Sequence, residues 1–246
     1  MAERIRLDKY LLEQGLMSSR SEAQAAIEAG NVSVNGQPAN KPSQKVSEID
    51  VICAEKAHPY VSRAALKLKG ALEVFAINVR GAVCLDVGCS TGGFTEVLLE
   101  AGADHVFSVD VGRDQFHARL RDDHRVSLFE QFDARKLTSD QIFRPIDILV
   151  CDASFIGLEK VLDPAIQFVK AGGQAILLFK PQFQVGPKAV GKGGIVTDTG
   201  AVEAAKGEFA NWLEGIGYQI RQWAVSPIAG GDGNQEWLVW AVRAHA

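Results

Sequence analysis

The stretch LDVGCSTGGFTEVLLEAGADHVFSVDV, Leu85 to Val111, limits the fold more than any other part of the 246-residue chain. An apolar strand breaks into a glycine-rich turn, the turn opens a helix, and a second apolar strand follows, tipped by Asp110. The pattern extends on both sides. A helix is expected over Arg63 to Phe75, strands at AVCLDVG, HVFSVDV, RVSLFEQFD, IDILVCD and QAILLFK, and helices over Gly93 to Gly102, Leu158 to Lys170 and Gly200 to Leu213. Near-continuous apolar strands separated by helices belong to a mostly parallel sheet covered on both faces. The closing strands YQIRQWAV and EWLVWAVR, joined through PIAGGDGNQ, are expected to form an antiparallel hairpin at one edge. The fold class is therefore α/β, a doubly wound, Rossmann-like sheet over residues 63–246.

In such sheets ligands lie beyond the carboxyl ends of the strands, where strand order reverses, and the glycine turn falls there. Its sequence, D-V-G-C-S-T-G-G-F, is not the dinucleotide pattern G-x-G-x-x-G. Asp86 at the strand end would repel a pyrophosphate but suits a ligand with a cationic amino group. Gly88, Ser90, Gly92, Gly93 and Phe94 complete the cradle. Asp110, 24 residues beyond Asp86, is placed to accept from both hydroxyls of a ribose. Asp133, ending LFEQFD, is placed to take the amino group of an adenine. Acids for an amino acid, a ribose and an adenine, in this order, describe S-adenosylmethionine, so the expected fold is that of an S-adenosylmethionine-dependent methyltransferase. Each acid taken alone also reads as a strand-end carboxylate solvated at the sheet rim.

A small α+β domain precedes the sheet, over residues 1–56. Leu7, Leu11 and Leu12 recur at helical spacing until Gly15, Ser18 or Ser19 can cap a second helix in SRSEAQAAIEAG, and NVSVNGQPA and EIDVICAE read as strands around an Asn35-Gly36 turn. Residues 57–62, AHPYVS, read as a linker in which Pro59 keeps His58 extended.

Composition removes several classes of function. A net charge of −4 does not suit a protein coated with phosphate-binding groups, so any contact with nucleic acid must be local. Two segments lack carboxylates: Lys56, Arg63, Lys67 and Lys69 lie in one, and Lys170, Lys180, Lys188 and Lys192 in the other. These form one basic face, or are lysines offset by acids near them in space. Five charged residues in MAERIRLDKY leave no apolar core for a secretory signal, and cytoplasm is the expected location. No apolar run approaches the roughly 17 to 25 residues of a membrane helix. Four cysteines without a C-x-x-C pair or a histidine at zinc spacing point to reduced thiols and no metal site.

The opening RLDKYLLEQGLMSSRSEAQAAIEAGNVSVNG resembles the small RNA-binding fold named for the fourth small-subunit ribosomal protein. The resemblance implies phosphate contacts for Arg4, Arg6, Lys9 and Arg20. Seven basic and eight acidic residues over 1–56 leave room for shape-guided binding, not for a strong electrostatic attraction. The alternative is a helical cap packed on the larger domain.

The strand IDILVC ends in CDASF, not in the Asn-Pro-Pro-aromatic turn that grips a planar base, and Cys151 lies inside the strand, not in a nucleophile's turn. Asp152 and Lys180 remain at the strand ends, with Lys67 in the preceding helix and Glu236 on the final strand. The motifs SRAALKL, DVGCSTGGF, CDASF, LLFKPQF and GNQEWLVW, in this order, resemble the TlyA family, called hemolysins in older usage, whose catalytic domain is similar to the FtsJ-type ribose methyltransferases. That resemblance spans essentially the whole chain. It implies a catalytic tetrad at Lys67, Asp152, Lys180 and Glu236, and methylation of a cytidine 2′-hydroxyl in ribosomal RNA or ribosomal subunits.

A ribose hydroxyl must lose its proton as it attacks, and a lysine removes it only when neutral, against an ordinary pKa of about 10.4. Lys67 beside Lys180 favours the neutral amine, whereas Asp152 and Glu236 oppose it, so Lys180 is the preferred base within a shared site. After it, PQFQVGPKAVGKGGIV reads as a mobile lid whose Lys188 and Lys192, with Arg63, meet RNA phosphates. Two rivals stand beside this reading: a membrane-active hemolysin, and an RNA-binding ribosome maturation factor without catalysis.

Overall fold

The computed structural model describes residues 4–17, 19–55 and 57–245 and divides the chain into two compact units, Met1–Arg63 and Ala64–Ala246. The first unit contains β1 (Ile5–Arg6), α1 (Leu7–Glu13), α2 (Arg20–Glu28), β2 (Val32–Val34), β3 (Gln37–Pro38), β4 (Lys45–Val46) and β5 (Ile52–Ala54). Ser19 caps α2, its hydroxyl accepting from the Glu22 N–H at 3.1 Å; Ser18 lies outside the described residues. Leu7 and Leu11 of α1 meet Ala23, Ala26 and Ile27 of α2 and Val32 and Val34 of β2 in one core. Leu12, at the same helical spacing, is exposed instead. Asn35 (φ 53°) and Gly36 (φ 75°) close β2 onto β3 in a two-residue hairpin, the left-handed geometry for which Asn-Gly is chosen. The pairing of β1 with β4 is not signalled in the sequence, because each contributes only two residues.

The second unit contains α3 (Ala65–Val74), β6 (Val83–Val87), α4 (Gly93–Glu100), β7 (His105–Val109), α5 (Ala118–Arg121), β8 (Val126–Phe129), β9 (Ile146–Cys151), α6 (Leu158–Leu162), β10 (Val169–Phe179), α7 (Thr199–Gly215), β11 (Tyr218–Val225) and β12 (Trp237–Arg243). Its strands form a seven-stranded sheet in the order β11-β12-β10-β9-β6-β7-β8. Strands β8, β7, β6, β9 and β10 pair in parallel, and β12 runs antiparallel to both β10 and β11. The order reverses between β6 and β9. The closing hairpin is present, but β12 inserts inside β11, so β11 is the edge strand. This antiparallel insertion brings the start of β12 to the rim where β9 and β10 end, with Trp237 opposite Phe179.

Two of the expected elements end differently from the sequence reading. The helix expected over Leu158 to Lys170 stops at Leu162, a 3-10 turn occupies Ala165–Phe168, and Val169 already belongs to β10. Pro164 explains the break, since it has no N–H to continue the helical ladder. The strand expected to end at Asp133 ends at Phe129; Gln131 turns left-handed (φ 54°) and Asp133 caps a 3-10 turn, Ala134–Lys136.

On the α7 side, fully buried Phe179 and Phe209 lie 5.8 Å apart between ring centres, and each lies against Trp223. Phe209→Ala should therefore lower unfolding stability by about 3–5 kcal/mol in a denaturant titration. A change below about 1 kcal/mol would show that this cluster is not part of a close-packed core.

Candidate active site

The strand-order reversal opens a cavity of about 480 Å³, within the size range of small-molecule sites. Gly88, Ser90, Asp110, Asp133 and Asp152 line it, together with apolar Val109, Phe132, Ile156 and Val161. Gly88 has φ 81°, and a Cβ there would stand 3.2 Å from the Ala153 backbone, so the turn closes against the end of β9 only as glycine. Asp110 accepts from the Ser90 N–H at 2.8 Å and the Gly112 N–H at 2.6 Å. A carboxylate has about four lone-pair sites, which leaves two for the hydroxyls of a ribose. These acceptors fit the ribose of a nucleoside.

The other expected cofactor residues stand elsewhere. Gly92, Gly93 and Phe94 open α4 outside the residues that line the cavity, and Gly92 (φ 95°) faces Leu120 and Phe116 so closely that a Cβ would come within 2.6 Å of the leucine. Asp86 is fully buried, and the Thr95 hydroxyl donates to it at 2.7 Å and shares a 2.8 Å bond with Ser108. Its Oδ1 has no hydrogen-bond partner among the described residues. Burial pushes this carboxyl up to about 7, against the opposing bond from Thr95. Asp133 does line the cavity, but Arg135 clasps it through Nε at 2.9 Å and Nη2 at 2.7 Å. That guanidinium holds the Asp133 carboxyl down to about 2.

The four predicted catalytic groups come together as two buried pairs. Lys180 Nζ lies 2.6 Å from Asp152 Oδ1 and donates to the Ser154 hydroxyl at 2.7 Å. Lys67 Nζ, from α3, lies 2.5 Å from Glu236 Oε2. Lys67, Lys180 and Glu236 are each less than a tenth exposed. The strand register explains the convergence, because Asp152 follows β9, Lys180 follows β10 and Glu236 precedes the antiparallel β12. Burial raises the Glu236 pKa; Lys67 and then Lys180 pull it back. Lys170 also has an acidic neighbour, Asp147, so much of the expected basic face is offset in space.

Two features of this rim escape the sequence reading. Phe155 adopts φ 65°, is 91% exposed, and lies 5.4 Å from the Phe183 ring in the segment after Lys180. The CDASF motif contains it, but only the folded chain reveals the exposure. Asn234, 2% exposed, accepts from the Val196 N–H and donates to the Gly194 carbonyl, both at 2.9 Å. Gln182 donates to Asp232 at 3.0 Å. The glycine-rich loop after Lys180 is thus pinned at both ends to the connection before β12, while Lys188 and Lys192 between the pins are exposed. Arg4, Arg6, Lys9, Arg20 and Arg63 lie in the first unit.

Comparison with known proteins fits this geometry. Residues 60–243 match the FtsJ-like methyltransferase family, and residues 5–52 match the S4 domain. The chain is 42% identical to the 16S/23S rRNA (cytidine-2′-O)-methyltransferase TlyA of Mycobacterium tuberculosis, over 98% of this chain and 90% of that protein. It is 37% identical to Hemolysin A of Brachyspira hyodysenteriae, over 95% of this chain and 98% of the relative. A solved structure from Streptococcus thermophilus, provisionally named a hemolysin, superposes with a TM-score of 0.79 at 34% identity, covering 100% of this chain and 90% of the other. The chain belongs to the FtsJ-like methyltransferase family, in its TlyA group with an amino-terminal S4 domain.

The raised Asp86 carboxyl has a measurable consequence. Between about pH 4 and pH 7 the folded state holds a proton on Asp86 that the unfolded state has lost, so this group makes stability fall as pH rises through that window. Asp86→Asn should remove this slope, and its stability relative to the parent should improve steadily from pH 4 to pH 7 and level off above. Parallel pH profiles in chemical denaturation would contradict the assignment.

Proposed function

We propose that this chain is an S-adenosylmethionine-dependent methyltransferase that modifies a ribose 2′-hydroxyl of ribosomal RNA, that of a cytidine as in the name of its mycobacterial relative. The observation that carries this reading is the pair of lysine–carboxylate contacts, one of whose acids, Asp152, also lines the nucleoside-sized cavity. S-adenosylmethionine, when bound, supplies an electrophilic methyl carbon on a sulfonium. Asp110 would hold its ribose, Asp133 would receive the amino group of its adenine once Arg135 yields one of the carboxylate oxygens, and Gly88 and Ser90 would let the backbone approach. Gly92, Gly93 and Phe94 shape the turn from behind, and Asp86 anchors it through Thr95.

Lys180 is the base. Asp152 and Ser154 fix its Nζ, so that the amine, in its neutral form, stands placed to take the hydroxyl proton as the oxygen attacks. Lys67 and Glu236 orient this pair and balance its charge. The exposed ring of Phe155 offers a stacking face to a base drawn out of its helix. Arg4, Arg6, Lys9 and Arg20 in the S4 domain, with Arg63, Lys188 and Lys192, contact RNA phosphates. The site of action is the cytoplasm, with the ribosome as partner. Among the described residues no helix is long and apolar enough to cross a membrane.

Lys180→Ala should lower methyl transfer from labelled cofactor to ribosomal subunits by at least about 10²-fold while calorimetric cofactor affinity is kept. Transfer within a few-fold of the parent would remove Lys180 from the role of base. No transfer by the parent protein to either subunit would overturn the reading itself.

A further inference from the structure

We propose that Asp8 is a positioning residue whose buried carboxylate assembles Arg6 and Arg20 into a single phosphate-gripping pair for structured RNA, an inference that rests on the RNA-binding reading of the first unit. Asp8 is 0% exposed although it stands in the first turn of α1. Burying a carboxylate is costly unless it is paired, and this one is saturated. Its Oδ1 accepts from Arg6 Nε and the Lys9 N–H, both at 2.9 Å. Its Oδ2 accepts from Arg6 Nη2 and Arg20 Nη2, both at 2.9 Å, and from Gln24 Nε2 at 3.2 Å. The bonds from Arg6, then burial against them, then Arg20 and Gln24 set its pKa, and the net effect is a carboxyl held far below the usual range.

The two guanidiniums therefore share one inner anion while their side chains stay 41% and 53% exposed. Among the described residues, Arg6 uses Nε and Nη2 inward and Nη1 has no partner, while Arg20 uses Nη2 and its Nε and Nη1 have none. Planar forks so fixed suit bidentate donation to a phosphate, with less rotamer freedom left to lose on binding. Net charge is no substitute for this arrangement. The segment 1–56 is almost charge-balanced, and Lys9 is already paired with Glu13 at 3.1 Å.

The test exploits a sign. Asp8→Asn removes a negative charge and should tighten RNA binding if charge alone governs it, whereas loss of the fork should weaken it. The double variant Arg6→Lys, Arg20→Lys leaves charge unchanged and Asp8 in place but removes the planar donors. With the full chain and purified ribosomal subunits at fixed salt, each variant should bind about tenfold more weakly, a difference of about 1.4 kcal/mol. The loss should appear in KM for subunits, with cofactor affinity unchanged. If Asp8→Asn fails to fold, the double variant decides. Subunit binding by either folded variant as tight as the parent's overturns the role of Asp8; absence of binding by the parent overturns the RNA-binding reading as well.

Discussion

Four charges withdrawn from water at one rim of the sheet govern how the rest of the second unit is built. A buried ion pair repays the loss of hydration only when its partners meet in good geometry, and removing one partner leaves a charge that nothing solvates. Lys180 with Asp152 and Lys67 with Glu236 approach to 2.6 and 2.5 Å because four separate elements deliver them to adjacent positions. The antiparallel course of β12 is essential, since a parallel strand in that place would carry Glu236 to the opposite rim. The topology of the sheet is in this sense a condition of the site.

The apolar interior supports that rim from below. β6 is buried along its whole length, and β9 and β10 pair in register up to the residues before Asp152 and close to Lys180. Behind the glycine turn, Asp86, Thr95 and Ser108 form a small polar chain inside the core, which ties β6, α4 and β7 together where the backbone must bend sharply. In front, Asn234 fastens the loop after Lys180 to the connection carrying Glu236. The two segments that carry Lys180 and Glu236 are thereby held in one frame.

Much of this was legible in the sequence, for identifiable reasons. Strand and helix order follows from apolar periodicity, the Asn35-Gly36 hairpin from left-handed backbone preference, and the position of the cavity from the rule that ligands sit where strand order reverses. What escaped depends on contacts between residues distant in sequence or on local breaks. Pro164 overrides the helical spacing from Leu158 to Lys170. No local pattern tells that Arg135 will fold back on Asp133, that Asp86 will turn inward, or that β12 will insert beside β10. The basic segments read from composition lost much of their apparent charge once Lys67, Lys170 and Lys180 found acids in space.

The two units carry distinct chemistry. The first holds arginines around a buried acid, and the second holds a cavity lined by carboxylates, one of them paired with a buried lysine. The central claim is that the cluster serves a sugar oxygen and not a base. Ribosomal subunits treated with the protein and isotopically labelled S-adenosylmethionine, then digested to nucleosides and resolved by mass spectrometry, test it directly. The account predicts label in 2′-O-methylcytidine; label found on a nucleobase, with none on ribose, would contradict it.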